Sequence, residues 1–136
     1  MFTLTRILNA PSNAPEPLKQ YTTAGVAYKL GALLTLSGGK LVNCEATDKP
    51  LFISGENAAA NAKREITVYP ITENMLFTAP TASAPPLLKA GDKLTLNVVD
   101  GAAVGVGSAS TDGVATLIDS RGALRPGDRV TVRFDG

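Results

Sequence analysis

The sequence predicts a mainly β fold: a small antiparallel barrel or sandwich with an extended N-terminal arm and at most one short helix. Three observations predict it. Short runs alternate apolar and polar residues at period two, as in Leu94, Leu96 and Val98 or in Val130, Val132 and Phe134. That spacing turns one face of an extended strand inward and the other toward water. The 13 Gly and 9 Pro are spread between these runs as punctuation, the pattern of many turns joining short strands. No stretch keeps its apolar residues at helical spacing. With 136 residues the chain is one domain in size, large enough to fold without a disulfide or a metal.

Residues 1–22 read as the extended arm. Phe2 and Leu4 alternate with Thr3 and Thr5, and Ile7 and Leu8 follow. Pro11, Pro15 and Pro17 then exclude a helix or a central strand. An apolar tip on an extended stem suits strand addition to another chain, with Phe2, Leu4, Ile7 and Leu8 as anchors. The same pattern fits an edge strand on the chain's own sheet. The β-rich body is expected over 23–136, with room for two subdomains, 23–78 and 88–136.

Within the body, Leu33 to Leu36 and Leu41-Val42 flank Ser37-Gly38-Gly39-Lys40. That is a hairpin signal, because the paired glycines supply the positive φ a tight turn needs. Leu51 to Ile53 forms a short run after Pro50, and Ala58 to Ala62 fits a short helix or a loop. Ile66 and Val68 make a strand that Tyr69-Pro70 ends or bulges. Met75 to Phe77 makes another, and residues 78–87, with Pro80, Pro85 and Pro86, are expected as a connector. The last strands are Leu94 to Val98, Val114 to Ile118 and Val130 to Phe134.

An internal echo joins two of these strands. Leu88-Lys-Ala-Gly-Asp-Lys-Leu-Thr-Leu96 matches Leu124-Arg-Pro-Gly-Asp-Arg-Val-Thr-Val132 in chemistry at every position. Each copy reads as a glycine turn, an Asp that bonds the turn backbone, and then a strand. A weaker copy, Leu30-Gly31-Ala32-Leu33, lacks the Asp.

Composition narrows the chemistry. The chain has no His and a single Cys, Cys44. Ser-His-Asp and Cys-His catalysis, most zinc sites, iron–sulfur clusters and intramolecular disulfides are thereby excluded. Cys44 reads as a small buried hydrophobe. The formal net charge of +1 makes no electrostatic case for nucleic acid or an anionic membrane. No apolar run approaches the ~18 residues of a membrane helix, so a soluble chain is expected.

Local motifs are weak. Ser37 and Lys40 have Ser-x-x-Lys spacing but sit in the hairpin turn, without the helix that spacing requires. Gly101 to Gly107 lacks the Lys-Ser/Thr ending of a phosphate loop, and small residues there fit a strand crossed closely by other backbone. Asp100, Asp112, Asp119, Asp128 and Asp135 are scattered at turns, with no calcium-loop spacing. No catalytic, cofactor or metal residue is assigned, and the chain is expected not to be an enzyme. A carboxylate-pair hydrolase is the weakest of the three readings considered, since seven aromatic residues, three Tyr and four Phe, give little for sugar stacking.

Residues 100–118 carry a resemblance. Asp100-Gly101-Ala102-Ala103-Val104-Gly105-Val106, the turn Ser110-Thr111-Asp112-Gly113 and the strand from Val114 to Ile118 are similar to the middle of lambda-type head decoration proteins of tailed bacteriophages. The proline-rich arm is similar in character. The resemblance implies a structural protein on the capsid exterior of a virion, made in the host bacterial cytoplasm and bound to the major capsid protein. It further implies homotrimers at three-fold positions, with no cofactor and no nucleic-acid or membrane partner. The competing expectation is a β-sandwich ligand-binding or interaction module of a larger assembly, such as a phage tail or fibre.

Overall fold

A computed structural model describes residues 1–8, 15–82, 88–123 and 125–134. Its strands are β1 (Thr3–Ile7), β2 (Leu18–Tyr21), β3 (Leu33–Ser37), β4 (Lys40–Asn43), β5 (Phe52–Ser54) and β6 (Glu65–Pro70). They continue with β7 (Met75–Pro80), β8 (Lys93–Val99), β9 (Ala102–Ala109), β10 (Ala115–Asp119) and β11 (Arg129–Phe134). All belong to one 11-stranded sheet of order β1-β7-β11-β10-β8-β9-β3-β5-β6-β2, with β4 beside β3. The strand pairs within it are antiparallel. The sheet folds over itself as a sandwich and does not close into a barrel.

Period-two alternation builds two hydrophobic clusters. The larger gathers Phe2, Phe77 and Phe134 with Leu94, Leu96, Leu117, Val130 and Val132. The smaller gathers Leu34, Leu41, Phe52, Ile66 and Val68 around Tyr28. β3 serves both, since successive residues point to opposite faces of a strand. Leu33 is fully buried in the first cluster and Leu34 in the second.

Turn chemistry fixes the registers. Gly38 and Gly39 have φ of 59° and 79°, and Ser37 pairs with Lys40 across them. Asp100 and Gly101 have φ of 50° and 78° between the paired Val99 and Ala102. Two consecutive positive φ values give the turn whose twist matches that of the strands it joins.

The sequence echo is structural. In one copy the Lys89 and in the other the Arg125 N–H donates to the Asp three residues on, at 2.8 Å to Asp92 and 3.2 Å to Asp128. Gly91 and Gly127 share φ near 94–95°. Each donates its N–H to a neighbouring segment, Gly91 to Leu117 at 2.7 Å and Gly127 to Thr81 at 2.6 Å. The two turns launch β8 and β11, which flank β10. The weak copy repeats the device before β3, where Gly31, at φ 78°, donates to Ser54 at 2.9 Å. Ala32 occupies the Asp position there and is fully buried, a place where a carboxylate would lose its hydration. Leu124 lies outside the described residues.

One open alternative resolves and two expectations change. Ala58 to Ala62 is a loop, pinned by the Tyr28–Ala58 bridge and turned at Asn61, whose φ is 62°. β7 runs through Thr78 and Ala79 to Pro80, so the connector begins later than proline content suggests. Pro80 closes a strand there and pairs with Arg129. Residues 18–21, read as stem, form β2 against β6. Strand glycines mark close approaches, as expected: a Cβ on Gly105 would lie 2.6 Å from the Pro80 carbonyl oxygen.

Candidate functional site

The four anchor residues lie on the chain's own body. Phe2 is 1% exposed. Its ring tilts against Phe134 at 5.5 Å, and Phe134 against Phe77 at 5.3 Å. Leu4 and Ile7 are half-buried against the same core. Leu8 donates its N–H to Asn74 at 2.7 Å and accepts from the Asn74 side chain at 3.0 Å. Residues 3–7 are thus an edge strand paired with β7, bulged between Leu4 and Arg6. That is the alternative the sequence left open beside the free arm.

Arg129 fastens this strand. Its Nη2 donates to the Met1 carbonyl at 2.9 Å, the Thr3 hydroxyl at 3.1 Å and the Thr78 carbonyl at 2.8 Å. Its Nε reaches the Thr78 hydroxyl at 3.3 Å. One guanidinium at the start of β11 therefore ties β1 to β7 through its fork of N–H donors. In sequence Arg129 is only the counterpart of Lys93 in the echo, and nothing local marks this role.

Beside β1 lies an apolar cleft of about 440 Å³. Met1, Leu4, Leu30, Ile53, Tyr69, Pro70 and Met75 are among its lining residues. Two glycines let the walls approach. A Cβ on Gly31 would sit 2.7 Å from the Met1 side chain, and one on Gly55 would sit 2.8 Å from the Tyr69 ring. Met1 is 51% and Leu30 43% exposed. β1 is also the terminal strand of the sheet order. A strand edge left unpaired among the described residues, beside an apolar trough, can receive an extended segment by backbone pairing plus insertion of alternate side chains.

The acidic and thiol groups of the described residues make no metal-holding cluster. Among the described residues no three of His, Cys, Asp and Glu come together, and Asp135 lies outside them. Burial, with Asp48 nearby, pushes the Cys44 thiol up to about 12, the behaviour of a packed thiol. Ser37 and Lys40 face across the hairpin as turn-flanking partners.

Glu56 is the notable carboxylate. It accepts from Lys63 at 2.5 Å and from the Thr67 N–H at 2.9 Å, with Lys19 at 3.8 Å. Lys63 and the Thr67 amide hold it at about 2, against an ordinary 4.5. A lowered carboxyl adds stability that is complete above its unfolded value and lost as pH falls through its folded one. The loss is therefore expected between 4.5 and about 2. Glu56→Gln should lower stability by ~1 kcal/mol or less at about pH 6, because the side chains are partly solvated. The gap should close at about pH 2. Thermal melts of both proteins at the two pH values check this, and a gap that persists at low pH would contradict it.

Comparison with protein families and with curated proteins finds no match. Among solved structures, the chain is similar to the N base of head fiber gp8.5 of bacteriophage phi29, with a TM-score of 0.56 and 13% identity. The likeness covers 88% of this chain and 95% of that one. In fold, this chain resembles the base of a phage head fiber.

Proposed function

We propose that the chain is a non-enzymatic structural protein of a phage virion, seated on the outside of the head as a decoration or cement protein. One observation carries the reading. The fold likeness to a head-fiber base runs nearly end to end in both chains, so it concerns the whole domain and not a shared hairpin. The partner in this reading is the major capsid protein, with three copies gathered at a three-fold position. The shell-facing surface is the β1 edge with its cleft, where Met1 and Leu30 offer exposed apolar surface and β1 offers a strand edge. Phe2, Leu4, Ile7 and Leu8 act by holding that edge in shape. A fibre component remains the second reading, favoured by the same neighbour, which is itself a fiber part.

The test is co-sedimentation with purified particles from the source, using the full chain and Leu30→Asp. Leu30 is half-exposed, and its N–H is held by Asn57 Oδ1 at 2.9 Å, so this variant keeps its fold, which circular dichroism verifies. Saturable pelleting at a fixed ratio to the shell subunit, reduced at least about tenfold by the buried charge, is the expected result. No pelleting of the full chain overturns the role. Equal pelleting of Leu30→Asp overturns the cleft as the contact.

A further inference from the structure

At the other end of β2 from the cleft, the surface dips into a basin of about 510 Å³. Tyr21, Thr22, Lys40, Asn61, Lys63 and Arg64 line it. We propose that this basin binds a saccharide carrying a phosphate or a carboxylate.

Charge is the first observation. Three cations line the basin and no carboxylate does, on a chain whose formal net charge is only +1. Lys63 is partly neutralised by Glu56. Lys40 and Arg64 have no ion-pair partner among the described residues. Their positive charge is left for an outside anion, and the Arg64 guanidinium matches the two-oxygen face of a carboxylate or phosphate.

Rigidity is the second. The walls come from three separate segments held by short hydrogen bonds. Thr22 donates its N–H to the Arg64 carbonyl at 2.9 Å and its hydroxyl to the Lys63 carbonyl at 2.6 Å. Thr22 also bridges to Leu41, next to Lys40, and the Thr23 hydroxyl donates to the Leu41 carbonyl at 2.8 Å. Asn61, in the left-handed conformation, accepts the Gly25 N–H at 2.8 Å. A pre-formed site binds without having to order its own walls.

Tyr21 supplies the third. It is 55% exposed at the end of β2, an apolar ring with a polar tip of the kind that packs on the C–H face of a sugar. The volume falls within the range of small-ligand sites, about 300–1,000 Å³. A nucleic-acid strand would want a groove with successive stacking rings, and one tyrosine lines this basin.

The test is ¹H–¹⁵N NMR of the full chain titrated with glucose 6-phosphate and with glucuronate, against glucose and inorganic phosphate alone. At least one charged sugar should shift the amides of Tyr21, Thr22, Lys40 and residues 61–64 in a saturable way. It should bind about tenfold or more tighter than either control, and weaken as salt rises from about 20 to about 200 mM. Lys40→Ala with Arg64→Ala should abolish saturation. Tyr21→Ala should weaken the charged sugar while leaving inorganic phosphate unchanged. Phosphate binding as tightly as the sugar phosphate would overturn the saccharide, as would shifts spread over all the lysines or no saturation. The basin shares no lining residue with the cleft and the assay contains no capsid, so its outcome is separate from the capsid reading.

Discussion

Phe2→Ala should lower folding stability by about 3 kcal/mol or more, the usual cost of deleting a phenyl ring from a packed core. The ring is fully enclosed, and it is the near member of a row of three with Phe134 and Phe77. The Phe2 N–H is bonded to the Gly31 carbonyl at 2.9 Å, so the same residue draws the end of β1 toward the turn that launches β3. Urea titration of wild type and variant measures the difference. A loss under about 1 kcal/mol would show that the first strand is peripheral to the core. The expectation also bears on capsid assays. Deleting the first 20 residues would remove β1, Phe2 and most of β2 along with any contact surface. Lost binding would then report lost folding, and Leu30→Asp is the cleaner probe.

Gly113→Ala is the second large effect, at about 2–4 kcal/mol. An added Cβ would come within 2.5 Å of the Leu94 nitrogen and the Lys93 carbonyl carbon. These are backbone atoms of β8, and they sit where β8 pairs with β10 through Leu94–Ala115 and Lys93–Thr116. The Val114 N–H also bonds the Leu94 carbonyl at 3.0 Å. Relief of the clash therefore means separating strands, not rotating a side chain. Gly25→Ala is the control. Gly25 has φ of 80° with nothing within 4 Å of an added Cβ, so it reports only the left-handed backbone penalty of roughly 1–2 kcal/mol. Melting temperatures no lower for Gly113→Ala than for Gly25→Ala would refute the close approach.

Much of the body was legible because its signals are local. Gly38-Gly39 and Asp100-Gly101 carry the positive φ values their hairpins need. The alternation in β8 and β11 emerged as strands with Leu94, Leu96, Val130 and Val132 buried. The two Gly-Asp turns use their carboxylates as the sequence implied. The illegible parts depend on partners distant in sequence. Phe2, Leu4, Ile7 and Leu8 read alike as a free arm or an edge strand. What selects the edge strand is β7 and Arg129, more than 65 positions away. β2, Leu-Lys-Gln-Tyr, is short and mostly exposed, so no period betrays it. The cleft draws on β1, β5, β6 and β7, and the basin on segments near 21, 40 and 62. No window of sequence contains either one.

The meeting of Phe2 with Phe134 has a kinetic consequence. β1 pairs with β7 at Thr3–Thr78, and the ring that covers Phe2 belongs to the last strand. During synthesis β1 therefore waits for β7 before it can pair, and the Phe2 ring stays uncovered until β11 has followed. Closing so long a loop carries an entropic barrier, and folds dominated by such distant pairings complete in about milliseconds to seconds rather than microseconds. During that interval β7 presents an open edge that the β1 of a neighbouring nascent chain fits as well as its own. Exchange of first strands between copies is thus the misassembly this topology invites when many copies are made close together.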